Sequence, residues 1–308
     1  MAIALMYRES LALRSIHDAR VVMCTAPGDP PILRYSWFAN SPYTLNLDSV
    51  LKRCGPLDYL LLHIPDYQVN QVAEWLASAS QTLLRDVREL HLNVMVFNID
   101  QMKGQDVLGL AGFGKVTCTT AHEAYSNPVT RAALGVPLHR LKICTGAEFY
   151  SRSEYKDKES LLIVSSDEHP LRTIVLGKIA QELPDLRIEV IHDISYEDYK
   201  RLIRRAKWSL TFGEGLDGYF AEPVFSGGIS FAVFNSRFFT PAFAELETVY
   251  PSWTALIDRI TEDIQRLDEP TTYHRCWQQA FDLLSDHLST DRFRENLRTF
   301  YRGEYTFP

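Results

Sequence analysis

Short β-rich runs, several of them apolar almost throughout, alternate with longer helical stretches along this chain, and few folds accept that pattern. The clearest runs are Asp58 to His63 (DYLLLH), Asn93 to Asn98 (NVMVFN), Lys115 to Thr119 (KVTCT), Leu161 to Ser165 (LLIVS), Arg187 to Ile191 (RIEVI), Trp208 to Phe212 (WSLTF) and Ser230 to Phe234 (SFAVF). Arg20 to Cys24 (RVVMC) reads as a strand in the same way. A strand without a polar face must be covered on both sides, as in a parallel sheet flanked by helices. Helical spacing over Tyr67 to Val87, Leu171 to Leu183 and Tyr196 to Ala206 supplies the covering elements. Pro184 stops the second of these. Ser195 precedes the third as an N-cap, with Glu197 and Asp198 matched to the helix dipole in the first turn. The alternation predicts an α/β protein with parallel sheets.

The series runs twice. The polar stretch Tyr150 to Glu159 (YSRSEYKDKE) separates the two series and reads as a linker, with a solvated loop inside one large sheet as the alternative. The expected domains are residues 1–152 and 159–275, followed by terminal helices over 276–308. A chain of 308 residues fits two domains of roughly 150 each. With 46% hydrophobic and 12% aromatic residues it is no disordered segment. A net charge of -7 offers no general basic face, which excludes nucleic acid as the expected partner. Cys24, Cys54, Cys118, Cys144 and Cys276 are dispersed and form no CxxC, so reduced thiols in a cytoplasmic setting are expected. No apolar run approaches the ~18 residues of a membrane span. The basic run Lys200 to Lys207 and the Arg- and aromatic-rich Arg292 to Tyr305 leave open a peripheral association with the inner face of a membrane.

Trp208 to Asn235 (WSLTFGEGLDGYFAEPVFSGGISFAVFN) carries the densest chemistry. A strand enters a loop containing Gly213, Gly215 and Gly218, and a helix is expected from Ala221, with Pro223 at an early position. Glycines let a ligand approach the backbone, and a helix N-terminus offers N–H groups to an anion. The loop follows the carboxyl end of a strand, where open α/β sheets bind ligands. Glu214 and Glu222 flank it, and carboxylates accept hydrogen bonds from sugar and ribose hydroxyls. The glycines also spell GxGxxG. A dinucleotide fingerprint, however, belongs to the first βα turn of a domain, and the strand that follows here ends in Phe234-Asn235 with no acid for a ribose.

Glu214 and Glu222, in the context F-G-E-G then Y-F-A-E-P then S-G-G, resemble the E-x7-E motif of the large family of retaining glycosyltransferases with the GT-B fold. Leu161 to Ser166 resembles the first strand of that family's nucleotide-binding domain. HDISYEDYKRLIRRAKWSLTFGE resembles the helix and strand leading into its motif, and CTTAHEAYSNPVTRAALGVPLHRLKIC the end of its N-terminal domain. The resemblance covers Leu161 to Leu267 best. Two departures stand out. CTAPGDPP follows the first strand in place of a glycine-rich loop, and Ser165-Ser166 stands where the family usually carries Gly-Arg.

The resemblance implies a GT-B fold: two Rossmann-like domains whose parallel sheets face a central cleft, with a C-terminal helix crossing back. It implies a hexosyltransferase that moves a sugar from a nucleotide-diphosphate donor to a glycan or lipid-linked acceptor. It further implies retention of anomeric configuration and no metal or other cofactor. Glu222 would hold the ribose, Glu214 the transferred sugar and Arg172 the diphosphate. Gly215, Gly218, Ser166 and Tyr219 would complete the donor site. His63, at the end of DYLLLH, is the expected contribution of the first domain, with a structural histidine as the alternative. Asn98, Asp100, Thr119, Thr120 and His122 end the neighbouring strands. A catalytically silent nucleotide- or glycan-binding subunit of the same fold is the competing expectation.

Overall fold

A computed structural model describes residues 6–7, 10, 19–25, 45–78, 80–102, 104–142 and 146–308 of the chain. Cys144 and most of CTAPGDPP lie outside the described residues. The contacts divide the chain into two compact units. The described part of the first contains residues up to 142 together with 291–308, and that of the second contains 146–290.

In the first unit, helix α1 (Leu47–Cys54) leads into strand β1 (Leu57–Pro65). Helix α2 (Val69–Ser78), strand β2 (Val87–Val96), helix α3 (Gly104–Leu110), strand β3 (Lys115–Thr120), helix α4 (Pro128–Leu134) and strand β4 (Leu138–Arg140) follow. The strands form one parallel sheet in the order β1-β2-β3-β4. The stretch expected to be helical to Val87 is divided: the helix ends at Ser78, a single helical turn covers Ser80–Leu83, and β2 begins at Val87. Arg20 to Cys24 makes only an isolated bridge, Cys24 to Leu45. β4 was missed in the sequence because it is only three residues long.

Alternation along these strands separates two buried faces. Leu60, Leu62 and Ile64 of β1, Leu92, Val94 and Val96 of β2, and Val116 and Cys118 of β3 pack with Trp75, Leu76, Val107 and Leu134 of the helices. The opposite face carries His63, His91, Asn93, Thr117 and Thr119. Helix α10 (Thr290–Tyr301) covers it, with the Phe300 ring against His63, His91 and His139. Buried polar groups need partners, and these form a chain of hydrogen bonds. Asn93 Nδ2 donates to His63 Nδ1 (2.9 Å) and Thr119 Oγ1 (3.1 Å), Thr117 Oγ1 donates to Asn93 Oδ1 (3.1 Å), and His91 Nε2 meets Thr117 Oγ1 (2.8 Å). The last residues extend the arrangement: Phe307 pairs with Leu138 through two backbone hydrogen bonds.

The second unit contains β5 (Glu159–Val164), α5 (Arg172–Glu182), β6 (Arg187–Val190), α6 (Tyr196–Arg205), β7 (Ala206–Leu210), α7 (Gly218–Phe225), β8 (Ile229–Val233), β9 (Val249–Tyr250), α8 (Trp253–Leu267) and α9 (Pro270–His287). Its sheet is parallel, in the order β6-β5-β7-β8-β9. Leu161 to Val164 and Leu210 are buried to about 1% exposure or less, as expected for strands covered on both faces. Ser195 caps α6: its Oγ accepts from Asp198 N at 3.1 Å. Lys158, buried beside the other end of α6, donates from Nζ to the carbonyls of Ile203, Arg204 and Ala206 (3.0–3.3 Å) and so satisfies the last orphan acceptors of that helix. Among the described residues no helix is long and apolar enough to cross a membrane.

Candidate functional site

Two loops converge beyond the carboxyl ends of β5 and β7. The first, Ser165 to Leu171, leads into α5. The second, Thr211 to Asp217, leads into α7. Ser165 ties them together, its Oγ accepting from Phe212 N at 3.0 Å. The GxGxxG thus lies after the third strand of its unit in chain order, away from the first βα turn where a dinucleotide fingerprint sits.

The glycines serve different ends. Gly215 has φ +94°, a conformation an L side chain resists, and a Cβ there would meet the Phe239 ring at 2.4 Å. Gly218 has ordinary dihedrals, but its bare Cα leaves room for Glu222, whose Oε1 would lie 2.6 Å from an added Cβ. Gly213 makes way for the carboxylate of Asp167 in the same manner, at 2.7 Å.

Helix α7 starts three residues earlier than the sequence suggests. Asp217 is its N-cap and accepts from Phe220 N at 3.0 Å, so Gly218 to Ala221 are already helical and Pro223 sits inside the helix. The cap also occupies the helix N-terminus with the chain's own carboxylate, in place of the open anion site expected from the sequence. Thr211 Oγ1 donates to the other Asp217 oxygen at 2.9 Å. Burial, reinforced by Asp167, pushes the Asp217 carboxyl up to about 7.

Glu222 is 1% exposed. Tyr196 Oη donates to its Oε2 at 3.2 Å, and the Tyr196 and Tyr150 hydroxyls are 2.9 Å apart. Burial pushes this carboxyl up to about 8, while hydrogen bonds from Tyr150 and Tyr196 hold it down. Tyr219 faces Ser166, which is itself buried, and its hydroxyl is pushed up to about 12, chiefly by burial. Glu214 is half-buried between Gly213 and Gly215.

Arg172 is the first residue of α5. Its guanidinium donates to the carbonyls of Ser166 (3.1 Å) and Asp167 (2.8 Å) and lies over the Phe212 ring at 5.8 Å. Trp253 continues this aromatic shelf, stacked on Phe212 at 5.3 Å and on His169 at 4.0 Å. The second unit therefore gathers Ser166, Arg172, Glu214, Gly215, Gly218, Tyr219 and Glu222 around one pair of loops. Among the described residues no group of three or more His, Cys, Asp or Glu is arranged to hold a metal ion.

His63 belongs to the first unit. The sequence ends its strand there, but β1 runs on to Pro65, so His63 stands on the sheet face rather than at the strand tip. Asn93 holds Nδ1, Tyr301 Oη lies 3.4 Å from Nε2, and Phe300 and Tyr301 cover the ring. The tip itself is occupied by Asp66. Its buried carboxyl accepts from the backbone N–H groups of Phe97 (2.8 Å), Asn98 (2.7 Å) and Tyr67 (2.9 Å) and so ties β1 to the end of β2. Asn98 caps the following turn, accepting from Asp100 N at 3.0 Å. Thr119 joins the polar face below α10, Thr120 is buried, and His122 packs edge-on to Tyr125.

Asp167, Asp217, Tyr150 and Tyr196 escaped the sequence reading. Asp217 carried a signal, an acid three residues before a run of apolar helix formers. The two tyrosines carried none, because they reach Glu222 from distant parts of the chain.

No family model and no curated protein matches the sequence. Solved structures do. Sucrose-phosphate synthase from Thermosynechococcus elongatus is similar with a TM-score of 0.56 at 11% identity, over 97% of this chain and 92% of that one. HepE from Anabaena, in complex with UDP-glucose, is similar with a TM-score of 0.55 at 11% identity, over 83% of this chain and 81% of that one. With two parallel α/β sheets of four and five strands and this likeness across most of its length, the chain has the GT-B fold.

Proposed function

We propose that the chain is a glycosyltransferase whose second unit binds a nucleoside diphosphate sugar and releases the sugar to a glycan or lipid-linked acceptor. The observation that carries this reading is the pair Glu214, on the β7–α7 loop, and Glu222, in α7, of a GT-B chain with Gly218 kept bare beside the Glu222 carboxyl. The similarity to HepE, solved with UDP-glucose, supports it. In this reading Glu222 receives ribose hydroxyls, Glu214 holds the transferred sugar with support from the backbone around Gly215 and Gly218, and Arg172 faces the diphosphate. Ser166 and Tyr219 line the donor. Transfer proceeds with retention and without a metal: the acceptor attacks on the face the diphosphate leaves, so no protein nucleophile is assigned. Preorganised charge at the leaving group is the main catalytic contribution of such a site.

Electrostatics bears on the same reading. Asp167, Glu214, Asp217 and Glu222 lie on or beside the two loops that Arg172 joins, a carboxylate-rich setting for a diphosphate. Burial offsets part of it by pushing Asp217 up to about 7 and Glu222 up to about 8, which lowers their ionised fraction. The use of Arg172 on two backbone carbonyls favours a second reading, a silent nucleotide- or glycan-binding subunit.

Calorimetry with UDP, GDP, TDP, ADP and NAD, with and without magnesium, tests the proposal. Magnesium-independent binding of one nucleoside diphosphate, followed by turnover of its sugar conjugate, supports the enzyme. Binding without turnover selects the silent subunit. Binding of NAD alone overturns both.

A further inference from the structure

Glu222 is not held by its own backbone alone. Tyr196, the first residue of α6, donates to Oε2 at 3.2 Å. Tyr150, from the segment that enters the second unit, meets Tyr196 hydroxyl to hydroxyl at 2.9 Å. Both tyrosines are anchored elsewhere. The Tyr150 ring stacks on Phe225, one turn after Glu222 on the same helix, with centroids 6.0 Å apart. Tyr196 follows the Ser195 cap, and Lys200 Nζ lies 4.9 Å over its ring. The two carboxyl oxygens are thus unequal: Tyr196 donates to Oε2, Tyr150 also hydrogen-bonds the carboxyl, and Oε1 lies over the bare Cα of Gly218.

We propose that Tyr196, braced by Tyr150, is a positioning residue that fixes the Glu222 carboxyl so that Oε1, over Gly218, receives the ribose hydroxyls of a nucleoside diphosphate. This rests on the donor-binding reading above and adds to it the residues that aim its central carboxyl. One oxygen suffices, because its two lone pairs accept from both hydroxyls of a ribose cis-diol. A carboxyl buried to 1% exposure and left without its tyrosine would turn toward other donors and lose that aim. The titratable groups that face it are Tyr150 from the entering segment, Tyr196 and Tyr199 from α6, and Asp217 and Tyr219 from the start of α7.

The test compares UDP, GDP and ADP with their 2′,3′-dideoxy counterparts by calorimetry on the full chain and on Tyr196→Phe. The wild type should prefer the ribonucleotide by roughly tenfold, the scale of two ordinary hydrogen bonds. Tyr196→Phe should lose most of that preference while its affinity for the dideoxy form is unchanged. A merely structural tyrosine would weaken both forms alike. Gly218→Ala, which covers Oε1 with Tyr196 intact, should also erase the preference and serves if Tyr196→Phe fails to fold. A full preference in Tyr196→Phe would overturn the inference. A wild type that binds both forms equally would overturn it while leaving the donor reading in place. A wild type that binds none of the diphosphates would overturn the donor reading and this inference with it.

Discussion

Acid should loosen the first unit before the second, chiefly through His63 and His91, two of the three histidines against Phe300 of α10. His63 is held down to about 3, by burial and then by the neighbouring His91. His91 is held down to about 4, by burial and then by Lys115. In the unfolded chain each titrates near 6.5. Below that pH the unfolded state takes up protons that the folded state refuses, so stability falls as pH drops from 6.5 toward the folded values. From pH 7.5 to pH 5 the linkage gives about 2 kcal/mol per histidine, about 4 kcal/mol together. That is a large share of the ~5–15 kcal/mol of a typical domain. Hydrogen exchange into β1 and β2 peptides, corrected for the chemical exchange rate, reports this opening and should accelerate by roughly a thousandfold. His91→Gln keeps a polar partner for Thr117 but removes one titrating ring, so its acid dependence should be about half as steep. Equal pH dependence in the wild type and His91→Gln, or undiminished protection at pH 5, would refute the reasoning.

Glu222→Ala should weaken nucleoside diphosphate binding by about tenfold or more, whereas Glu214→Ala should spare binding and cut transfer; calorimetry and an activity assay separate the two. Gly215→Ala should cost about 2–3 kcal/mol in urea unfolding, because φ +94° and the Phe239 ring both oppose a Cβ. Gly177→Ala, in the exposed middle of α5 with nothing near its Cα, should instead stabilise by about 1 kcal/mol in the same assay.

The run Leu161 to Val164, apolar at every position, and the regular alternation of such strands with helical stretches made the parallel sheets legible, because a strand buried on both faces carries no polar face. Ser195 announced α6 for an equally local reason: the cap and the first-turn acids are adjacent in sequence. The close spacing of Gly213, Glu214, Gly215, Gly218 and Glu222 marked the β7–α7 connection, with Glu214 on the loop and Glu222 one turn into the helix that follows. Where local signals ran out, so did the reading. Pro223 suggests a later start for α7 than the cap at Asp217 sets. Strands β4 and β9, of three and two residues, are too short to show a period.

His63 illustrates the division best. Its position on a strand was evident from DYLLLH. That the polar residues of β1, β2 and β3 share one face, and that Phe300 from the far end of the chain seals it, follows only from the parallel register and the return of residues 291–308 to the first unit. The same holds around Glu222. The sequence by itself determined the elements, the two sheets and the loop carrying the carboxylates, because those depend on hydrophobic period and on neighbours a few residues apart. Only the tertiary structure decided that Tyr150 and Tyr196 grip Glu222, because those tyrosines lie 72 and 26 residues away along the chain and no local pattern brings them to one carboxyl.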